Sequence, residues 1–351
     1  MKVLFITRKY PPVVGGMENY SYNLIQHFKK INPETYFIAN PKGNKHFPFF
    51  ILSTYKKALK LIKEQGITHV HLGDGVLAPM GNRLKDKTGV ETSITIHGLD
   101  ITYSNPLYQR YIPKSISKID KIVTVSNYTK NECVKRGVPH NKITFIPNGV
   151  NPKEFQLNES RPKLISKIEN SYKLNLKNKK ILLTSGRLIK RKGVAWFIDS
   201  VMSKLPKEYV YLVAGSGSER GDIVKKIQKN NLQNRVFLLG RVSDNMLKVL
   251  YNSADSFIMP NIHLKGNAEG FGIVAIEAGS VGLQVIASKI EGITDAVIQG
   301  QTGWLVPEKN IKSFINAIQK KPLPKSKVRK EVEKHYDWKK IVSKYKEVLK
   351  R

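Results

Sequence analysis

Short apolar runs rich in β-branched residues recur through the first half of the chain, at residues 3–7, 35–39, 69–72, 92–97, 121–126 and 143–146. Neighbouring residues within a run are mostly apolar together rather than alternating with polar ones, the pattern of strands buried on both faces. Longer stretches with apolar residues three and four apart separate them, which is the helical period. Strands joined by helices predict a parallel sheet, since a parallel pair needs a crossover connection. The same rhythm restarts at 181–185 and continues through 210–214, 236–239, 256–259, 285–287 and 304–306, predicting a second parallel sheet. Between the two lies a polar, lysine-rich stretch holding Pro152 and Pro162. Such composition marks a hinge near residues 150–160 and divides the chain into domains 1–158 and 159–335. From about residue 336 to 351, Trp338, Ile341 and Tyr345 share a helical face, so a C-terminal helix is expected to pack back on the first domain.

A chain of 351 residues, 40% of them hydrophobic, can fill two cores of ordinary size. Its 60 Lys plus Arg against 27 Asp plus Glu give a formal net charge of +33, which implies an anionic partner. Nucleic acid, anionic lipid and a phosphorylated substrate all satisfy that condition. Cys133 is the one cysteine, which excludes an internal disulfide and a cysteine-rich zinc site and fits a reducing compartment. The apolar opening is cut short by Arg8, Lys9 and two prolines, unlike a signal peptide. No run approaches the roughly 18 apolar residues of a membrane span. The expected location is therefore the cytoplasm, with any membrane contact peripheral.

In the second domain, Gly270 and Gly272 precede an apolar helical run bounded by Glu269 and Glu277. A helix N-terminus offers free backbone N–H groups and a positive dipole, a seat for a pyrophosphate that glycines let approach closely. Read from the residues alone, Glu277 is either a ligand contact or a carboxylate closing an amphipathic run. A second cluster, Ser185-Gly-Arg-Leu-Ile-Lys-Arg-Lys-Gly193, follows a strand and carries Arg187, Lys190, Arg191 and Lys192. Cations there could meet phosphate oxygens or simply face solvent. Gly215-Ser-Gly-Ser218 lacks the third glycine of a dinucleotide fingerprint.

Glu269-Gly-Phe-Gly-Ile-Val-Ala-Ile-Glu277, with 282–288, Glu291-Gly292 and 300–306 following in order and spacing, resembles the signature of family 4 retaining glycosyltransferases of the GT-B fold. The resemblance extends from the opening strand to about residue 310. It implies an α/β architecture of two Rossmann-like domains whose parallel sheets face a central cleft, the first binding acceptor and the second a nucleotide-sugar. By that resemblance Glu277 bonds the donor ribose, Glu269 the hydroxyls of the donor sugar, and the amides of Gly270, Phe271, Gly272, Ile273 and Val274 meet sugar or phosphates. Arg187 and Lys192 stabilise the departing diphosphate, and Arg241 and Val242 lie near the nucleobase. Residues 260–268 are longer than the family's commonest approach to Glu269, and Gly279-Ser-Val departs from the usual small-residue run.

The first domain carries matching positions. Gly15 and Gly16 allow a close turn after the opening strand, and the resemblance places this loop over the donor phosphates and sugar, with Glu18 facing the acceptor. His97-Gly98 ends an apolar strand, where a polar residue points to a functional edge. The family's His-Gly pair touches the donor sugar near the reacting carbon, with Asp100 and Ser126 further acceptor-side candidates. The implied reaction moves a hexosyl group from a GDP- or UDP-hexose to a glycan or lipid-linked acceptor, with retention. Cell-surface polysaccharide or glycolipid synthesis is the implied setting. Asp-x-Asp is absent, so neither a metal nor another cofactor is expected. Residues 45–63, with Phe47, Phe49, Phe50 and Ile51 among lysines, fit either an ordinary first-domain segment or docking on an anionic membrane. Rival readings are a GT-B nucleotide-sugar epimerase, a glycogen synthase or phosphorylase, and, remotely, a nucleic-acid-binding protein, though no reader motif is present. Oligomeric state is not legible.

Overall fold

The computed structural model describes residues 1–13, 15–40 and 47–350. Each of the twelve apolar runs forms a strand. The first six are β1 (Val3–Thr7), β2 (Thr35–Ala39), β3 (His69–Leu72), β4 (Glu91–Ile96), β5 (Lys121–Thr124) and β6 (Ile143–Phe145). The second six are β7 (Lys180–Ser185), β8 (Tyr209–Ala214), β9 (Val236–Gly240), β10 (Ser256–Met259), β11 (Val285–Ser288) and β12 (Gly303–Val306). They make two six-stranded sheets, ordered β2-β1-β3-β4-β5-β6 and β12-β11-β10-β7-β8-β9, with every pairing parallel.

Burial follows position in the sheet. All five residues of central β1 and all six of β8 are buried, whereas edge strands β2 and β9 keep partly exposed positions. Three strands, β4, β5 and β6, end earlier than their apolar runs, the first two for a local reason. The 92–97 run stops pairing at Ile96 because the His97 amide donates to Asp100 Oδ1 at 2.8 Å, turning the chain. The 121–126 run stops at Thr124, and Ser126 accepts from the Thr129 amide at 3.0 Å to cap the Asn127–Val134 helix.

The chain divides into two compact units. The first comprises Met1–Gly149, Lys265–Phe271 and Trp338–Arg351; the second comprises Val150–Leu264 and Gly272–Asp337. In the first, the Trp338–Lys350 helix lies along the Gly16–Ile31 helix: Trp338 packs on Tyr20 and His27, and the Lys346 ammonium donates to the Ile31 carbonyl at 2.6 Å. Its core spans Leu4, Leu72, Ile94 and Ile122 from four adjacent strands and the helices above them. In the second unit Phe197, Tyr211, Ile258 and Phe314 anchor the corresponding core. Among the described residues no helix is long and apolar enough to cross a membrane.

The aromatic segment at 45–63 divides along a helix. Lys45 lies outside the described residues, and the Phe47–Gln65 helix buries Phe50 in the core while leaving Phe49 76% and Leu52 68% exposed. Ile51 packs partly against that core, and Phe49 and Phe50 do not share one face.

Candidate functional site

Open parallel sheets bind ligands outside the carboxyl ends of their strands, where the strand order reverses. In the second unit that point falls between β7 and β10, which pair at Ser256–Leu182 and Phe257–Leu183. The cationic segment leaves β7 here. Arg187 is exposed, and Lys190–Lys192 form one 3-10 turn with Lys190 exposed and the other two half-buried. The start of the 260–268 stretch meets this turn: the Ile262 amide donates to the Arg191 carbonyl at 2.9 Å, and next to it His263 contacts Glu291 and Glu308, each at 2.8 Å. The first residues of the longer approach are thus tied to the backbone of the cationic turn.

The glycine segment opens the Ile273–Ser280 helix, with Gly272 as its left-handed N-cap residue at φ 92°. Glu277 lies one turn into that helix. It accepts from the Tyr251 hydroxyl at 3.0 Å, and Tyr251 in turn accepts from Ser185 at 3.1 Å. A carboxylate on one helix is thereby tied to the end of β7, where Arg187 begins. Glu277 keeps only a small solvent edge; burial dominates and raises its carboxyl from the ordinary 4.5 to about 7, the Tyr251 hydrogen bond opposing the rise. Tyr251 escapes sequence reasoning because it stands in an otherwise unremarkable helix, Asp244–Ser253, with no motif around it.

Gly215 has a structural explanation. A Cβ there would lie 1.8 Å from the Gly186 carbonyl oxygen, at a φ of 149°. Its amide donates to the Gly240 carbonyl at 2.7 Å and the Gly186 amide to Ala214 at 2.9 Å, so the loops after β7, β8 and β9 pack backbone to backbone. Arg241 is exposed and Val242 half-buried at the end of edge strand β9, two strands away from β7.

In the first unit the order reverses between β1 and β3. The loop after β1 carries Lys9, which pairs with the buried Glu18 at 3.2 Å, and Arg8, which pairs with Asp74 after β3 at 2.8 Å. Gly15 precedes the Gly16–Ile31 helix, and a Cβ on it would meet the Glu18 carboxylate at 2.3 Å. His97 is half-buried, and its Nε2–H donates to the Gly73 carbonyl at 3.1 Å. Asp100 is buried and accepts from the amides of His97 at 2.8 Å and Gly75 at 3.1 Å, joining the turns after β4 and β3. Burial raises its carboxyl above the ordinary range, against the pull of His97 and the two amides. Ser126 is fully buried as a helix cap.

The division between units passes through the glycine segment itself. Glu269, Gly270 and Phe271 group with the first unit, while Gly272, Ile273, Val274 and Glu277 group with the second. Gly270 runs against the His97-Gly98 turn so closely that a Cβ would fall 1.8 Å from the His97 carbonyl oxygen. The half-buried Glu269 is thus one residue from a backbone contact with His97, far away in sequence. Asp74 and Lys9 were not singled out from sequence, although Asp74 carries the same polar signal after a strand end as His97.

Two parallel sheets of this kind in one chain, each with polar loops at its switch point, make up the GT-B class of glycosyltransferase folds. The HepE protein of Anabaena, solved in complex with UDP-glucose, superposes with a TM-score of 0.79 at 18% identity, covering 100% of this chain and 99% of that one. Residues 14–154 match the family described as Glycosyltransferase Family 4, and residues 166–335 match Glycosyl transferases group 1. The chain belongs to these family 4, group 1 glycosyltransferases. An uncharacterized glycosyltransferase of Methanocaldococcus jannaschii is 27% identical over 88% of this chain and 86% of its own. The UDP-Gal:alpha-D-GlcNAc-diphosphoundecaprenol alpha-1,3-galactosyltransferase of Escherichia coli is 29% identical over 76% of this chain and 68% of its own.

Proposed function

We propose that this glycosyltransferase moves a hexosyl group from a UDP- or GDP-hexose to a glycan or lipid-linked acceptor with retention of configuration and without a metal. The observation that carries the donor side is the Ser185–Tyr251–Glu277 connection, which ties the half-buried Glu277 carboxylate to the end of β7, where the cationic segment leaves the sheet at the β7/β10 switch point. Glu277 accepts from the donor ribose, while Arg187 and Lys192 neutralise the diphosphate as it leaves, a task two cations perform without a metal ion. The amides of Gly272, Ile273 and Val274 offer the positive end of a helix to phosphate or sugar. Arg241 and Val242 border the nucleobase.

On the first unit, His97 and Glu269 meet the transferring sugar, with Gly270 and Phe271 beside them. Gly15 and Gly16 let the loop approach phosphate, and Glu18 faces the acceptor side. Asp100 and Ser126 act through the turns they hold. The acceptor oxygen bonds to the anomeric carbon on the face from which the phosphate leaves; the C–O bond to phosphate breaks, its electron pair stays on phosphate, and the acceptor proton goes to a phosphate oxygen. The E. coli relative's name specifies a UDP-sugar and a diphosphoundecaprenol-linked acceptor, which favours a lipid-linked glycan here as well.

That acceptor class suits peripheral docking at a cytoplasmic membrane face. On the Phe47–Gln65 helix the exposed Phe49, Leu52, Lys56 and Lys63 fall on one stripe, an apolar end followed by cations suited to anionic lipid. Proton NMR of the product formed on a diphosphoundecaprenol-linked sugar tests the reading. The anomeric proton should show the donor's configuration; an inverted product would overturn it.

A further inference from the structure

Within the first unit a continuous line of buried polar groups crosses the sheet interior. Tyr20 and Tyr345 hydrogen-bond through their hydroxyls, Tyr345 meets Thr95 Oγ1 at 2.9 Å, and Thr95 meets His71 Nε2 at 3.0 Å. His71 Nδ1 then contacts Ser93 Oγ at 2.7 Å, Ser93 contacts His69 Nε2 at 2.7 Å, and His69 Nδ1 reaches Glu91 Oε2 at 3.4 Å. Every member except Glu91 is at most 3% exposed. Glu91 sits at the solvent end, where Lys121 donates to it at 2.9 Å.

The chemistry of the members fixes the direction of every bond. A carboxylate only accepts, so the His69 Nδ1 carries the proton that faces Glu91. A neutral His69 must then accept at Nε2, so Ser93 donates to it and accepts from His71 Nδ1–H. His71 accepts at Nε2 from Thr95, Thr95 accepts from Tyr345, and Tyr345 accepts from Tyr20. Both histidines are neutral: burial is the largest influence, aided by Lys121 for His69 and by His69 for His71, and lowers them to about 4 and about 3. One arrangement of protons satisfies all seven groups, and it begins at Tyr20.

Tyr20 is also the ring against which His97 stands, edge to face, with centroids 4.8 Å apart at 85°. We propose that Tyr20 is a positioning residue for His97, pinned at its hydroxyl by Tyr345 of the C-terminal helix through a one-way hydrogen-bond chain anchored on Glu91. The inference rests on the reading of His97 as a residue that meets the sugar. The C-terminal helix then serves the reaction without touching substrate, because its Tyr345 hydroxyl is the link between Tyr20 and the sheet interior.

The test combines histidine nitrogen NMR of the full chain with nucleoside diphosphate release from UDP-galactose or GDP-mannose, measured for Tyr20→Phe, Tyr345→Phe and His97→Ala. His69 and His71 should both carry their proton on Nδ1 and stay neutral from pH 6 to 9; an Nε2 proton on either overturns the chain. Both tyrosine variants should lose on the order of tenfold in kcat while donor KM stays within about twofold, the mark of a displaced reacting group. Tyr20→Phe removes only the terminal hydroxyl and carries the test if Tyr345→Phe does not fold. A slow His97→Ala with both tyrosine variants at full kcat would overturn the positioning role alone. An unchanged His97→Ala would overturn the reading of His97 and, with it, this inference.

Discussion

Glu277 should couple nucleotide binding to a proton. Its carboxyl stands at about 7 in the folded chain against an ordinary 4.5. A ribose hydroxyl donates far more strongly to the ionised form, which makes up roughly a tenth of the molecules at pH 6 and roughly nine-tenths at pH 8. Affinity for UDP or GDP, whichever binds, should therefore tighten by about tenfold over that interval, about 1.4 kcal/mol. The same shift has a stability consequence of definite sign. Between 4.5 and 7 the folded chain holds a proton that the unfolded chain has released, so this group's contribution to stability declines as pH rises and is lost above about 7. A shift of that size corresponds to about 3 kcal/mol when fully expressed, and the solvent edge of Glu277 reduces the expectation to about 1–2 kcal/mol. Glu277→Gln keeps the shape and abolishes the titration. Calorimetric titration at pH 6, 7 and 8, with denaturant unfolding at pH 5 and 8, compares the two proteins. Parallel pH profiles for wild type and variant, in both binding and stability, would refute the assignment of the titrating group.

Two substitutions separate structural roles from contact roles. Gly215→Ala drives a Cβ into the Gly186 carbonyl at a left-handed φ, and should cost about 3 kcal/mol, seen as a fall of about 6–12 °C in the melting transition of the second unit; unaltered melting would show that the three loops can part. Ser126→Ala removes a buried cap and should cost about 1 kcal/mol with acceptor KM unchanged. A stable variant with raised acceptor KM would instead make Ser126 a substrate contact.

Most strands were legible because parallel strands buried on both faces read as largely apolar runs, although β3 and β4 place His69, His71, Ser93 and Thr95 at alternate positions, and the runs at 3–7 and 256–259 coincide with β1 and β10 residue for residue. Local polar competition was not legible in the same way. Nothing in the alternation of residues 121–126 announces that Ser126 spends its hydroxyl on the Thr129 amide instead of continuing β5. Phe49 and Phe50 look alike in sequence, and only the helical rotation of the Phe47–Gln65 segment sends one to solvent and the other to the core. The candidate residues at strand ends, His97 and Arg187, were accessible because a polar group after an apolar run has few buried uses. Their supports were not. Tyr251 beneath Glu277 and Tyr345 behind Tyr20 come from distant helices, and periodicity carries no information about which hydroxyl faces which partner across the fold.

The central claim is a donor nucleotide site built on Glu277 and the cationic turn of the second unit. Thermal unfolding with UDP, GDP and ADP and their hexose conjugates, in the presence of a chelator, tests it most directly, run beside Glu277→Ala. A saturable rise in melting temperature is expected from one uridine or guanosine pair, nucleotide and sugar conjugate alike, and it vanishes in the variant. No rise from any nucleotide, or an equal rise in Glu277→Ala, would contradict it.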